Sequence, residues 1–385
     1  MDLRIFDEEL TPLGVVDEMA SLTWTIMYFN VGSFKLLAPF TENNVELLKA
    51  GRIVVKHDEY IDYMDANDHI WRRGAVITYV HYTRDNKGQE QIEVSGQMLS
   101  YWLNKRVISP QLQLNGTSQQ VVNRLILKNI GSGAAVSRRF PQFISITQED
   151  LGGSSFDYSN EEYKLLGDEI RDVCQGGKIG YDILIDEKSA TYGFYLYDGK
   201  NLTQANTDGN EPCIFSIDFD NVNSQEFEDD ISNIKNYAYV LGAPDDQDNR
   251  DLVEVDRDSA SGLDLIETYI DAADIQRQAE NSSGERVDIP SATYRAMLRS
   301  KGVMELASSV ENYTFNSSIN LNSNLKYKED FDLGDRVTCI DRKWGVTINS
   351  RITEIVQTFE EGKKTIEATF GESAPNLLEK IKKAR

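Results

Sequence analysis

Three cysteines, Cys174, Cys213 and Cys339, are all that the 385 residues contain, and none stands at CxxC spacing. So sparse and odd a set excludes a disulfide scaffold and predicts reduced thiols made in a cytoplasm. Long apolar runs are also missing, since no stretch approaches the ~20 residues that cross a bilayer as a helix. The opening "MDLRIFDEEL" is acidic and polar, unlike the charged-then-apolar pattern of a secretory signal. Eight prolines and 26 glycines are too few for a fibrous or disordered chain. Positive charge is scarce: 40 Lys and Arg against 63 Asp and Glu give a formal net charge of −23. Such a surface repels nucleic acid and disfavours anionic membranes, so stable membrane association is not expected.

What is present reads as a soluble globular chain, 40% apolar and 27% charged, and long enough for two to four domains. The first hundred residues have strand texture. "LRIF" and "LGVVD" flank the turn "DEELTP" as a hairpin, and "SLTWTIMYFNVGSFKLLAPF" alternates apolar and polar residues around a break at Gly32. "RIVVKHD" and the pair in "GAVITYVHYTRDNKGQEQIEVSGQM" add three strands, the pair turning at Asn86, Lys87 and Gly88. Short strands at this spacing predict a barrel over residues 1–108, with a return strand near 212–222.

The texture changes near Pro110. "SQQVVNRLILKNIG" predicts a helix capped by Thr117 or Ser118 and stopped at Gly131, and "EEYKLLGDEIRDVCQGGKIG" a second ending at Gly176 and Gly177. "YDILIDEKSATYGFYLYDG" follows as a hairpin around Glu187 to Ala190. Residues 109–211 are therefore expected to form an inserted α+β domain. Strands return at "CIFSIDFDNV" and "NYAYVLG", then as a pair in "DLVEVDRDSASGLDLIETYIDAADI". "SATYRAMLRSKGVMELASSVENY" predicts a helix capped by Ser291, with a stripe of Met297, Leu298, Val303, Leu306 and Ala307. The expected fold class is mainly β with α+β: two small barrels (1–108; 222–275 with 310–371), the insert, a helical unit over 276–309, and a C-terminal helix over 372–385.

No pattern carries chemistry. "KHDEYIDYMDANDHIW" gathers His57, Asp58, Glu59, Asp62, Asp65, Asp68 and His69, but lacks both HExxH and the glycine of a calcium loop, and reads as a polar hairpin tip. "GAPDDQDNRD" puts Arg250 where a calcium loop needs a ligand. There is no GxSxG elbow or P-loop, "GSGAAV" fails the dinucleotide pattern, and basic–aromatic patches are absent. A glycosidase pair can be imagined among 63 carboxylates and so means nothing. The expectation is no catalytic residue, no metal and no cofactor.

The block "IFDEELTPLGVVDEMASLTWTIMYFNVGSFKLLAP" resembles the opening of siphophage tail-tip hub proteins, a family that includes the N-terminal part of tail-associated lysins and prophage endopeptidase-type tail proteins. The resemblance rests on Trp24, Tyr28, Gly32, Phe34, Leu36 and Pro39, and on "NNVELLKAGRIVVKHD". "YRAMLRSKGVMELASS" and "EDFDLGDRVTCID…SRITEIVQTFEEGKKTIEATFG", with its turn at Leu333, Gly334 and Asp335, are similar to the family's later segments. The resemblance implies a homotrimer whose two barrels per subunit adapt a six-fold tube to a three-fold tip. Its implied partners are a distal tail protein ring, a tape-measure protein and receptor-binding or tip proteins, at a virion tail tip. Many members carry a C-terminal peptidase or saccharide-binding extension; this chain ends soon after "ATFG", which puts wall-degrading activity in doubt. A tail-associated peptidoglycan hydrolase and a receptor- or glycan-binding tip protein are the alternatives. The acidity suggests a channel wall that DNA passes without adhering. Asp218, Asp220, Glu226, Glu228, Asp229, Asp230, Glu254 and Asp256 are the candidate lumen-facing residues.

Overall fold

The computed structural model describes residues 1–371 apart from 59, 85, 87, 110–111, 147–148, 160–162, 246, 281–285, 310–311 and 361. The expected helix at 372–385 and the turn residue Lys87 lie outside the described residues. The opening hairpin pairs β1 (Asp2–Phe6) with β2 (Pro12–Val16), its turn closed by Asp7, whose carboxylate accepts the Glu9 and Thr11 amides. In β3 (Ser21–Met27) and β4 (Ser33–Pro39) strict alternation buries Leu22, Trp24, Ile26, Phe34, Leu36 and Ala38 and leaves the intervening residues nearer solvent. A short α1 (Glu42–Leu47), capped by Thr41, leads to β5 (Ile53–His57), β6 (Tyr63–Met64), β7 (Ile70–Arg84) and β8 (Glu90–Met98). Pairing runs β2–β1–β5–β7–β8–β4–β3, antiparallel throughout.

A second core lies over one end of this sheet. It is built from β9 (Gln113–Gly116), α2 (Ser118–Asn129), β10 (Phe143–Ser145), β11 (Phe156–Ser159), α3 (Leu166–Gly177), β12 (Gly180–Asp186) and β13 (Thr191–Tyr197). Thr117 and Gln120 form a reciprocal capping box at the start of α2, which places Val121, Val122, Leu125 and Ile126 inward. The second helix ends with Lys178, not a glycine, in the left-handed conformation. Gly177 instead serves contact, since a Cβ there would overlap Ser118 at the start of α2. β12 pairs with both β13 and β7, so this unit is stitched to the first sheet by hydrogen bonds as well as packing.

The later strands correct the two-barrel expectation. β14 (Ile214–Phe215) and β15 (Val222–Asp230) are followed by β16 (Tyr237–Pro244), β17 (Arg250–Asp256) and β18 (Glu267–Ala272), then β19 (Gln278–Glu280), β20 (Arg286–Asp288) and α4 (Ser291–Ser308). Last come β21 (Asn312–Ile319), β22 (Arg336–Asp341), β23 (Val346–Glu360) and β24 (Lys363–Phe370). β23 pairs with β3, so the first ladder continues β3–β23–β24–β21–β15, and its ends, β2 and β15, each pair on one side only. Among the described residues no closed barrel forms. One core joins Leu3, Trp24 and Phe34 to Phe215, Phe315 and Phe370, so the two strand-rich blocks share an interior.

Residues 237–275 are not part of a second barrel either. β17 and β18 do not pair with each other as a hairpin; both flank β16, β18 in parallel, in a separate three-stranded sheet. Helix α4 covers that sheet with Tyr294, Met297, Leu298 and Leu306, forming its own core with Ala238, Val240, Val253 and Val255. The stripe differs from expectation at Val303, which is exposed. Gly302 faces inward in its place, where a Cβ would come within 2.8 Å of Val240 and Val255 side chains. Ser291 is the first helical residue rather than the cap, a position held by Pro290 without side-chain bonding.

Candidate functional site

The histidines stand apart. His57 Nε2 lies 2.9 Å from Glu187 Oε1, His69 Nδ1 lies 3.0 Å from Asp65 Oδ2, and His81 tilts against Tyr79 on β7. The three cysteines are buried free thiols, and burial pushes each up from the ordinary thiol range, away from thiolate. Among the described residues no three His, Cys, Asp or Glu side chains are grouped to hold a metal.

The concentrated polar chemistry is interior. Arg73 on β7, only 6% exposed, donates from Nε to Asp182 Oδ2 at 2.7 Å and from Nη1 to Asp62 Oδ1 at 2.6 Å. Asp62 also accepts the Arg73 amide at 2.8 Å and Lys328 Nζ at 3.3 Å, and Lys328 reaches Asp332 at 2.8 Å. Beside them Lys56 Nζ meets Asp58 at 2.6 Å and Gln357 at 2.7 Å. An enclosed space of about 10 Å³ lies among these groups. Burial alone would raise Asp62, but Lys328 and Arg73 overcome it and hold the carboxyl well below the usual aspartate range. For Asp182 burial wins over Arg73, so its carboxyl is raised.

The expected polar hairpin tip is therefore only half right. Asp65 does close an exposed turn by accepting the Asn67 and His69 amides, but Asp58 and Asp62 turn inward. Asp58 is held by its near neighbour Lys56, whereas Asp62 takes its counter-ions from Arg73 and from Lys328, far along the chain, which is why no local pattern gave it away. Among the described residues each charged group in this junction is matched to another, so it braces three segments together.

A second brace centres on Tyr28. Its hydroxyl donates to the Tyr197 carbonyl at 3.1 Å and accepts from Arg351 Nη1 at 3.0 Å, and Arg351 also holds Asp198 and the Gly334 carbonyl, each at 2.6 Å. Gly334, at φ +96°, lies against the Tyr28 ring, where a Cβ would fall 2.5 Å from Cε2. Next to it Asp335 accepts the Lys200 and Asp332 amides at 2.7 and 2.8 Å. Burial pushes its carboxyl up to about 6 despite those donors.

The acidic candidates are not gathered at one place. Glu226, Glu228 and Asp230 share one face of the edge strand β15, with Phe227 packed on the core behind them. Asp229 points the other way and is exposed, and Asp218 and Asp220 stand exposed on the turn before β15, Asp218 3.5 Å from Arg342. Glu254 and Asp256 are exposed on β17, in the separate three-stranded sheet, where Tyr237 donates its hydroxyl to Glu254.

Solved structures carry the same fold. The chain superposes on a tail protein from Neisseria meningitidis MC58 with a TM-score of 0.52 at 12% identity, covering 96% of both chains. Prophage tail protein gp18 from Listeria monocytogenes EGD-e gives 0.54 at 11% identity, over 100% of this chain and 98% of that one. The 43 kDa tail protein of prophage MuSo2 from Shewanella oneidensis gives 0.54 at 10%, over 96% and 98%. Among curated proteins, none matches. The fold is thus that of phage tail proteins. The chain belongs to the Siphovirus ReqiPepy6 Gp37-like family, whose model matches residues 2–372.

Proposed function

We propose that the protein is a structural hub at the tip of a phage or phage-like tail, acting as a homotrimer that adapts a six-fold tube to a three-fold tip. The observation that carries this reading is membership of a siphovirus family over nearly the whole chain, together with the tail-protein fold. The two strand-rich blocks on either side of the β3–β23 ladder supply two tube-like walls per subunit, six in a trimer, which is how three copies meet six-fold symmetry. The interior ion pairs and the Tyr28 brace fit this role, because they lock distant segments without offering a reactive group. In the assembled tail the trimer closes the lumen and opens for DNA ejection. It binds a distal tail protein ring, a tape-measure protein and tip or receptor-binding proteins, and the acidic residues of β15 and β17 line the channel. Labelled antibody against the chain, imaged on intact particles, tests the location: label at the tail tip is expected, and label along the tube or on the capsid overturns it. Sedimentation of the purified chain tests the trimer.

A further inference from the structure

The distribution of charge within the chain is as uneven as its total. Residues 94–148 contain no Asp or Glu at all, yet hold Lys105, Arg106, Arg124, Lys128, Arg138 and Arg139. Elsewhere, among the described residues, many basic groups sit against a carboxylate. Here, among the described residues, Arg124, Lys128, Arg138 and Arg139 have none within 4.0 Å. Arg106 stacks on Phe140 and binds the Arg138 carbonyl, so Arg106, Arg138 and Phe140 form one patch. Within it an open depression of about 410 Å³ is floored by Ile130, Phe140, Phe143 and Ile144, with Arg139 and Ser189 at its margin. Ile144 is 47% exposed and nearby Val136 is 80% exposed.

The opposite character appears in the three-stranded sheet. Residues 245–274 carry eleven carboxylates against Arg250 and Arg257. From this surface Leu263 projects with 100% exposure, on the single turn Gly262–Asp264, between Asp258 and Glu267 in sequence. The turn is anchored. Buried Asn236 donates to the Asp264 carbonyl and accepts the Ile266 amide, both at 2.8 Å, so Leu263 is held outward rather than left loose.

We propose that these two surfaces are the two halves of one seam between copies of this chain: the Leu263 turn of one copy seats in the depression floored by Phe140 and Ile144 of the next, with Asp264 and its acidic neighbours against Arg139. An apolar projection among carboxylates and a hollow with an apolar floor, Arg139 in its lining and no Asp or Glu there, are complementary in both shape and charge. Because the two halves lie on different units of the fold, the contact is head-to-tail, the kind that closes a ring when the rotation permits. The proposal rests on the trimeric reading above and names the surfaces that would build it.

Sedimentation across a concentration series separates the possibilities. Wild type is expected to form a trimer, and Leu263→Asp and Arg139→Glu each to weaken association at least tenfold with an unchanged melting temperature. Combining Asp264→Arg with Arg139→Glu restores association that either change alone removes. Mixing a Leu263→Cys chain with an Ile144→Cys chain under mild oxidation gives a cross-linked pair that neither gives alone. If the variants trimerise like wild type and no cross-link forms, this seam is wrong while the hub reading stands, and the depression is left to an acidic partner of another kind. A wild-type chain that stays monomeric at every concentration overturns both.

Discussion

Arg73 and Asp182, 109 positions apart, meet at 2.7 Å with both side chains buried. The pair joins the first sheet to the α+β unit, and Asp62 and Lys328 extend the connection to the C-terminal strands. Replacing Arg73 by Met leaves two buried carboxylates facing no guanidinium, a loss of about 3–5 kcal/mol by the usual cost of breaking a buried pair. Arg73→Lys is also expected to destabilise, because an ammonium does not reproduce the fork that reaches both carboxylates. Urea unfolding of both variants checks this, and an unchanged midpoint for Arg73→Met would show that the junction is not braced by charge.

Local pattern and long-range partnership parted company in this chain. Alternation in "SLTWTIM" and "SFKLLAP" predicts β3 and β4 and which residues they bury, because the pleat is a local property. That β3 pairs next with β23, more than 300 residues away, is set by which edges remain open after collapse. The separate sheet of β16, β17 and β18 was missed for the same reason, since a parallel neighbour and a hairpin partner have the same pattern. Gly302 hid the true face of α4, as a glycine scores nothing in an apolar stripe although it lets Val240 and Val255 approach. The site was less legible still: Asp62 sits in a polar segment and its partners lie at 73 and 328.

Asp335 gives a pH dependence of defined sign. Its folded value of about 6 stands above the ordinary 3.8, so between those values the native state binds more protons than the unfolded one. Its contribution is fully present below the unfolded value and is lost as pH rises through about 6, on the order of 2–3 kcal/mol across the window. The difference in unfolding free energy between wild type and Asp335→Asn, measured from pH 4 to 7, is therefore expected to slope in favour of the variant as pH rises. A flat difference would mean that the carboxyl titrates normally.

Two glycines separate backbone strain from steric overlap. Gly334 and Gly345 both have positive φ, +96° and +71°, but a Cβ meets the Tyr28 ring at the first and open space at the second. Gly345→Ala should cost about 1 kcal/mol, the left-handed penalty alone. Gly334→Ala adds displacement of Tyr28 and its bonds to Arg351, and is expected to cost at least twice as much. Thermal melts of the two variants decide it, and equal effects would remove the Tyr28 brace from the account.

Cell-wall hydrolysis is the activity to test against. Among the described residues His57 and His69 are each paired with one carboxylate and with no nucleophile, so the purified chain is expected to release no peptide or sugar fragments from peptidoglycan, with or without divalent metal. Sustained release abolished by His57→Ala or His69→Ala would replace the structural reading with a hydrolase.

The channel assignment is tested most directly on β15. Glu226 and Glu228 are exposed and two residues apart, so both project from one face of an edge strand, while Phe227 between them packs on the core. Changing both to Lys alters surface charge by four without touching that packing, and stability should move by no more than about 0.5 kcal/mol for each change. If this face lines the lumen, the lysines bring cations within a Debye length, roughly 8–10 Å, of passing DNA and add phosphate contacts that a carboxylate wall repels. Particles carrying the double variant should assemble normally but eject DNA more slowly, and added salt should relieve the delay by screening those contacts. If ejection keeps its wild-type rate at low salt, β15 faces outward and its acidity serves solubility alone.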